Sequence, residues 1–229
     1  AALGQAVFAY AQEVDRLGTA GYWSLPLREF APLRRQAVAP AFFETFGSPM
    51  ESTSEFVMAS DIGSRQQGLQ IPTYNVGGWY DIFLGDTIAN YQAMRSQGAP
   101  AKLMIGPWSH SELGSRVGER NFGYAAQIGF INLQTDLLGL QLRWFDQFLK
   151  GIDTGAVDAP VSVFVMGAEE WRDYPSWPPP AAQQERWYLH SGGRANSRFG
   201  DGTLTQDAPG EEPADVFTYD PSFPVASQG

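Results

Sequence analysis

The sequence predicts an α/β fold that gives way to short antiparallel strands. Two apolar runs, residues 71–76 and 102–105, flank a segment of helical spacing and so make a β-α-β unit. A broad apolar stripe at helical spacing over 133–150 supplies a second helix to cover that sheet. From Val161 onward, short apolar runs alternate with turn residues, the pattern of antiparallel pairing.

Taken in order, the first element is a helix. Val7, Tyr10, Val14 and Leu17 share one helical face, and Gly18 stops it. Residues 21–50 are broken by Pro26, Pro32, Pro40 and Pro49, leaving room for one short helix that carries Arg28, Arg34 and Arg35 as a solvated face. The strand at 71–76 ends on Gly77-Gly78. Leu84, Ile88, Tyr91 and Met94 then follow helical spacing and Gly98 caps the helix. The strand at 102–105 closes on Gly106-Pro107. A strand, a helix of about a dozen residues and a second strand form a parallel pair with a right-handed crossover. The helix over 133–150 presents Leu133, Leu137, Leu140, Trp144 and Phe148 to the sheet and ends at Lys150-Gly151. Of these, Leu137, Trp144 and Phe148 are expected to be buried. Residues 161–166 and 187–189 read as strands separated by Pro175, Pro178-Pro179-Pro180 and Gly192-Gly193. The composition change places a boundary near 151–160.

Composition narrows the functions. The 229 residues are 43% hydrophobic and 17% charged, which is globular rather than disordered. Fifteen Lys and Arg against 25 Asp and Glu give a net charge of −10, an unfavourable balance for binding nucleic acid or an anionic membrane surface. No apolar run is long enough for a membrane span and no signal peptide opens the chain. The compartment, cytoplasmic or exported, and the oligomeric state are not written in the sequence. With no cysteine, disulfides, thiol nucleophiles and cysteine-ligated metals are excluded. Asp153, Asp158 and Asp173 lack calcium-loop spacing, and the sequence offers no metal or cofactor site.

The chemistry points to the two turns of the β-α-β unit. The first strand leads into Gly77-Gly78-Trp79-Tyr80-Asp81, the second into Gly106-Pro107-Trp108-Ser109-His110. In adjacent parallel strands, about 4.8 Å apart, both turns lie at the carboxyl edge of the sheet, where open α/β sheets bind ligands. Asp81 and His110 can then meet. A carboxylate that fixes an imidazole tautomer leaves the other ring nitrogen to take a proton from a nucleophile. In α/β-hydrolases the chain order is serine, acid, histidine, and here the acid precedes the histidine as that order requires. The G-x-S-x-G elbow is absent from the 229 residues, and Ser109 is too close to His110 in the chain to face its ring nitrogen. The nucleophile is therefore expected upstream, and the chain reads as the C-terminal part of an α/β-hydrolase sheet from a longer polypeptide.

The run Ile71-Pro72-x-x-Asn75-x-Gly77-Gly78-Trp79-Tyr80-Asp81-x-Phe83, followed by Gly106-Pro107-Trp108-Ser109-His110, resembles the cocaine-esterase-like hydrolases. These belong with the Xaa-Pro dipeptidyl-peptidases, the α-amino-acid ester hydrolases and the glutaryl acylases. The likeness continues through Leu142-Arg143-Trp144-Phe145-Asp146, Phe164-Val165-Met166-Gly167, Glu170-Trp171-Arg172, Trp187-Tyr188-Leu189 and Tyr219-Asp220-Pro221. The resemblance implies a serine hydrolase built of an α/β-hydrolase domain, a helical cap and a C-terminal jelly roll. Residues 1–60 would then be a cap remnant, 61–155 the C-terminal part of the hydrolase domain, and 156–229 the start of an incomplete jelly roll. It further implies Asp81 as the triad acid, His110 as the triad base and Phe83 as an aromatic beside the acyl pocket. The substrate would be a small ester or amide, hydrolysed without a cofactor. The sequence leaves ester, β-lactam side chain and Xaa-Pro peptide open as substrates. An inactive binding or interaction module that keeps the scaffold is the alternative. His190 is expected to be a surface turn residue, and Trp171, Trp177 and Trp187 packing residues rather than a carbohydrate platform.

Overall fold

The computed structural model describes residues 61–220 and, outside them, residues 12, 15, 16, 58, 59, 222 and 223. The helix expected over the first residues and the pieces expected over 21–50 lie outside the described residues. The chain divides into two units, Ala1–Ile62 with Pro221–Phe223, and Gly63–Asp220 with Pro224–Gly229. The fold below belongs to the second.

Its centre is a four-stranded mixed sheet. Strand β1 (Thr73–Tyr80) leads through helix α1 (Leu84–Ser96) to β2 (Ala101–Ser109), and the two strands pair in parallel. Gly98 ends the helix turn at φ +78, a conformation that favours glycine. Strand β5 (Val161–Val165) also pairs in parallel with β2, and β6 (Glu170–Tyr174) turns back antiparallel to β5. Within this sheet, antiparallel pairing therefore starts at β5–β6, while the other edge of β5 completes its parallel part. Between β2 and β5 lie a two-stranded hairpin, β3 (Arg116–Val117) and β4 (Arg120–Asn121), and helix α2 (Leu137–Lys150). Further on, β7 (Tyr188–His190) and β8 (Thr203–Thr205) form a separate antiparallel pair. Among the described residues these strands do not make up the expected jelly roll.

Residues of β2 point alternately to the two faces of the sheet, as the strand period dictates. Leu103 and Ile105 join Tyr91 and Met94 of α1 and Val161 and Val163 of β5 in one core. Met104 and Trp108 join Ile131 in another, against which Leu137 and Leu140 of α2 pack. Helices thus cover both faces, and β2, apolar almost throughout, is buried as a central parallel strand should be.

Both core strands are longer than the apolar runs indicate. Gly77-Gly78 and Gly106-Pro107 do not end them. They lie inside the ladder, where Gly78 pairs with Gly106. A Cβ on Gly106 would stand 2.4 Å from the Trp108 ring, so this glycine makes room for the indole. Helix α2 starts four residues later than expected. Leu133 has φ +57 and lies exposed, and the carboxylate of Asp136 caps the helix by accepting from the Gly139 N–H. Of its expected buried face, Trp144 is buried and Leu137 and Phe148 are half-buried, while Leu138, Leu142, Phe145 and Leu149 are exposed. No helix among the described residues is long and apolar enough to cross a membrane.

Candidate active site

The carboxyl ends of β1 and β2 are brought level by a bulge. From Gly78↔Gly106 to Tyr80↔Ser109, β1 advances two residues and β2 three. The extra residue falls where Pro107 can give no N–H to the ladder. Because Tyr80 faces Ser109, the next residues of the two strands, Asp81 and His110, stand beside each other.

Asp81 is fixed from both sides. Its N–H donates to the Gly78 carbonyl at 3.0 Å and its carbonyl accepts from the Leu84 N–H at 3.1 Å. Oδ1 accepts the Phe83 N–H at 2.9 Å, which satisfies a free donor at the start of α1 and leaves Oδ2 available. Oδ2 lies 3.3 Å from Nδ1 of His110. The carboxylate is 17% exposed and the imidazole 62%, so an anchored carboxylate meets a solvent-facing imidazole. The Phe83 ring meets the imidazole edge to face, with centroids 5.0 Å apart at 70°. The structure therefore brings together Asp81, Phe83 and His110.

Ser109 takes a different part. It is buried, its Oγ accepts the Glu112 N–H at 3.1 Å, and its N–H donates to the Glu112 carbonyl at 3.1 Å. These bonds close a tight turn around His110 and Ser111.

The loop that follows His110 is held by two indoles. Trp108 donates to the Ala126 carbonyl at 2.6 Å and Trp171 to the Ala125 carbonyl at 2.7 Å. Their rings touch at 5.8 Å between centroids. A third indole, Trp79, donates to the Phe164 carbonyl at 2.7 Å, continuing the bonding of β5 where its ladder with β2 has ended. Trp177 packs on Trp79, whereas Trp187 is exposed and donates to Glu185. These indole roles are not visible in sequence, where an aromatic pattern reports burial but not the carbonyl its N–H will find.

His190 is not a free turn residue. It ends β7 with Nδ1 2.6 Å from Glu212 Oε1 and Nε2 3.0 Å from the Asp207 carbonyl oxygen. The Glu212 hydrogen bond, reinforced by the Asp207 carbonyl, raises its pKa above the ordinary histidine value. The other Glu212 oxygen accepts the Ser191 N–H at 2.9 Å, and that bond, with the one to His190, lowers the pKa of Glu212. Among the described residues no group of three or more acidic or histidine side chains is arranged to hold a metal ion.

Two family models match the chain: the X-Pro dipeptidyl-peptidase (S15 family) over residues 11–112, and the X-Pro dipeptidyl-peptidase C-terminal non-catalytic domain over 156–224. Asp81 and His110 fall within the first. The chain is 39% identical over 166 residues to the cocaine esterase of Rhodococcus sp. (strain MB1 Bresler), a match covering 72% of this chain and 28% of that protein. The chain thus spans little more than a quarter of that relative's length. Its fold resembles an aminopeptidase from a marine-sediment Thaumarchaeota archaeon, with a TM-score of 0.55 and 20% identity, over 88% of this chain and 30% of that one. An α-amino-acid ester hydrolase also has a TM-score of 0.55, at 21% identity, over 86% and 31% of the two chains.

Proposed function

The chain belongs to the X-Pro dipeptidyl-peptidase and cocaine-esterase-like family of hydrolases, and from this we propose that it carries the acid–base half of a serine hydrolase that cleaves ester or amide acyl bonds. The observation that carries the proposal is Nδ1 of His110 lying against Oδ2 of a doubly anchored Asp81, at the carboxyl edge of parallel strands.

In this reading Asp81 fixes the tautomer of His110 with the proton on Nδ1, so Nε2 is the free base. A serine hydroxyl supplied by a segment outside these 229 residues attacks the acyl carbon, and Nε2 takes its proton. The resulting imidazolium gives that proton to the leaving alkoxide or amine as the C–O or C–N bond breaks. In the second half Nε2 takes a proton from water, hydroxide character attacks the acyl-serine, and the proton returns to the serine oxygen. The balance closes on substrate plus water, without a cofactor. The substrate is a small ester or amide.

In domain terms, the cap remnant expected over residues 1–60 lies outside the described residues, and the sheet β1-β2-β5-β6 is read as the C-terminal part of the hydrolase sheet. The division expected at 155/156, where the C-terminal family model also begins, separates β2 from its partner β5, so we place the end of the sheet at the connection between β6 and β7. A jelly roll would then begin with the β7–β8 pair.

The test compares the intact protein with the isolated 229 residues on a short-chain p-nitrophenyl ester. The intact protein turns over and the isolated residues do not, since loss of a triad nucleophile costs on the order of a millionfold. An intact, folded protein without hydrolase activity on esters, amides or Xaa-Pro peptides would favour the binding-module alternative.

A further inference from the structure

We propose that the Phe83 ring is a positioning element that holds the His110 imidazole in its working rotamer, an inference that rests on the acid–base reading above.

The His110 ring stands 62% exposed at the end of β2. An exposed side chain exchanges rotamers on the picosecond to nanosecond scale unless something stops it. The imidazole is met by the Asp81 Oδ2 bond, at 3.3 Å a long one, and by the edge-to-face contact with Phe83. Swinging about its side-chain torsions would take Nδ1 off the carboxylate and carry Nε2 away from any fixed nucleophile.

Phe83 is suited to block that swing because its backbone cannot follow. Its N–H is committed to Asp81 Oδ1 at 2.9 Å. Its carbonyl accepts from the Thr87 N–H at 3.0 Å and the Thr87 hydroxyl at 3.1 Å. One residue therefore bears on both members of the pair, on Asp81 through its main chain and on His110 through its ring. Phe83 as a residue is 49% exposed, so it is not there to fill the core. The wall of an acyl pocket, the role that the resemblance implies, is a different function and predicts different kinetics.

Phe83→Ala separates the ring from the backbone, since the N–H to Asp81 and the start of α1 survive it. The experiment uses the intact protein with isotopically labelled histidine, following the His110 side-chain couplings and ring-nitrogen shifts by NMR alongside turnover of an acetyl and a bulkier acyl p-nitrophenyl ester. In Phe83→Ala, the His110 couplings average over rotamers. The kcat falls about ten- to a hundredfold, the scale of a misplaced catalytic group, by the same factor for both esters and with KM little changed. Phe83→Tyr keeps the ring and restores both readouts. A loss that falls on KM and scales with acyl size, or unchanged His110 couplings, overturns the inference. The two readings fail separately. If His110→Ala leaves turnover intact, the acid–base reading is wrong. If His110→Ala abolishes turnover while Phe83→Ala leaves couplings and kcat unchanged, only the positioning inference is wrong.

Discussion

Gly78 on β1 lies so close to Trp108 on β2 that a Cβ at Gly78 would stand 2.2 Å from the Trp108 carbonyl oxygen. No side chain fits there, and the obstructing atom is backbone, which cannot rotate aside. This approach lies at the bulge that sets Asp81 beside His110. Gly78→Ala must push the strands apart, and overpacking of this kind costs about 1–3 kcal/mol or more. The expected result is a marked fall in the denaturation midpoint with loss of the Asp81–His110 contact in histidine spectra. Wild-type stability in Gly78→Ala would show that the strands are not so closely set.

Gly85 gives the opposite expectation. It lies in the first turn of α1, and a methyl group added there would have nothing within 4 Å, so Ala meets no obstacle. Gly85→Ala should stabilise the protein by about 0.4–1 kcal/mol by reducing the freedom of the unfolded chain. Denaturant titration measures this, and a destabilisation would contradict it.

The two indole clamps are unequal. The Ala126 carbonyl, on a residue with no exposure, takes its bond from Trp108, whereas the Ala125 carbonyl also accepts the Asn132 N–H at 3.0 Å. Trp108→Phe strands a buried acceptor, at about 1–3 kcal/mol beyond the lost packing. Trp171→Phe leaves its acceptor bonded. Trp108→Phe should therefore lower stability more and speed amide exchange across residues 122–132. Equal effects would refute the ranking.

Much of this is legible in sequence because it is local. The apolar runs and helical spacing mark β1, α1 and β2, and residues in equivalent places after two such strands are neighbours by geometry. The strand ends escape that reading because Gly-Gly and Gly-Pro signal turns, whereas here the glycines admit Trp108 and Pro107 sits at a bulge. Leu133 fits the helical stripe by spacing alone, and only the positive φ at Asn132 and Leu133 shows that the chain is still turning there. The pairing of β5 with β2 joins segments about 60 residues apart, which no local pattern encodes. The Phe83–His110 contact depends on that same three-dimensional placement.

The His190–Glu212 latch gives a pH signature. The folded pKa of His190 is raised above 6.5, so its contribution is fully present below that value and is lost as pH rises through the folded pKa. The folded pKa of Glu212 is lowered below 4.5, so its contribution is present above that value and is lost as pH falls through the folded pKa. The latch is therefore strongest between these limits, in mild acid. Protection of the Ser191 amide, which donates to Glu212, should fall as the solution turns alkaline, and His190→Gln should remove that alkaline limb. An alkaline limb that survives His190→Gln would show that another group controls it.

The central claim, that Asp81 and His110 activate a serine lying outside these 229 residues, is tested most directly by labelling the intact protein with a fluorophosphonate and locating the adduct by mass spectrometry. The label is expected on a serine outside residues 1–229. His110→Ala should slow labelling on the order of a millionfold and Asp81→Asn roughly ten-thousandfold, the scales known for the base and the acid of a triad. A label on a serine within the 229 residues, or a labelling rate indifferent to His110→Ala in the folded protein, would contradict the account.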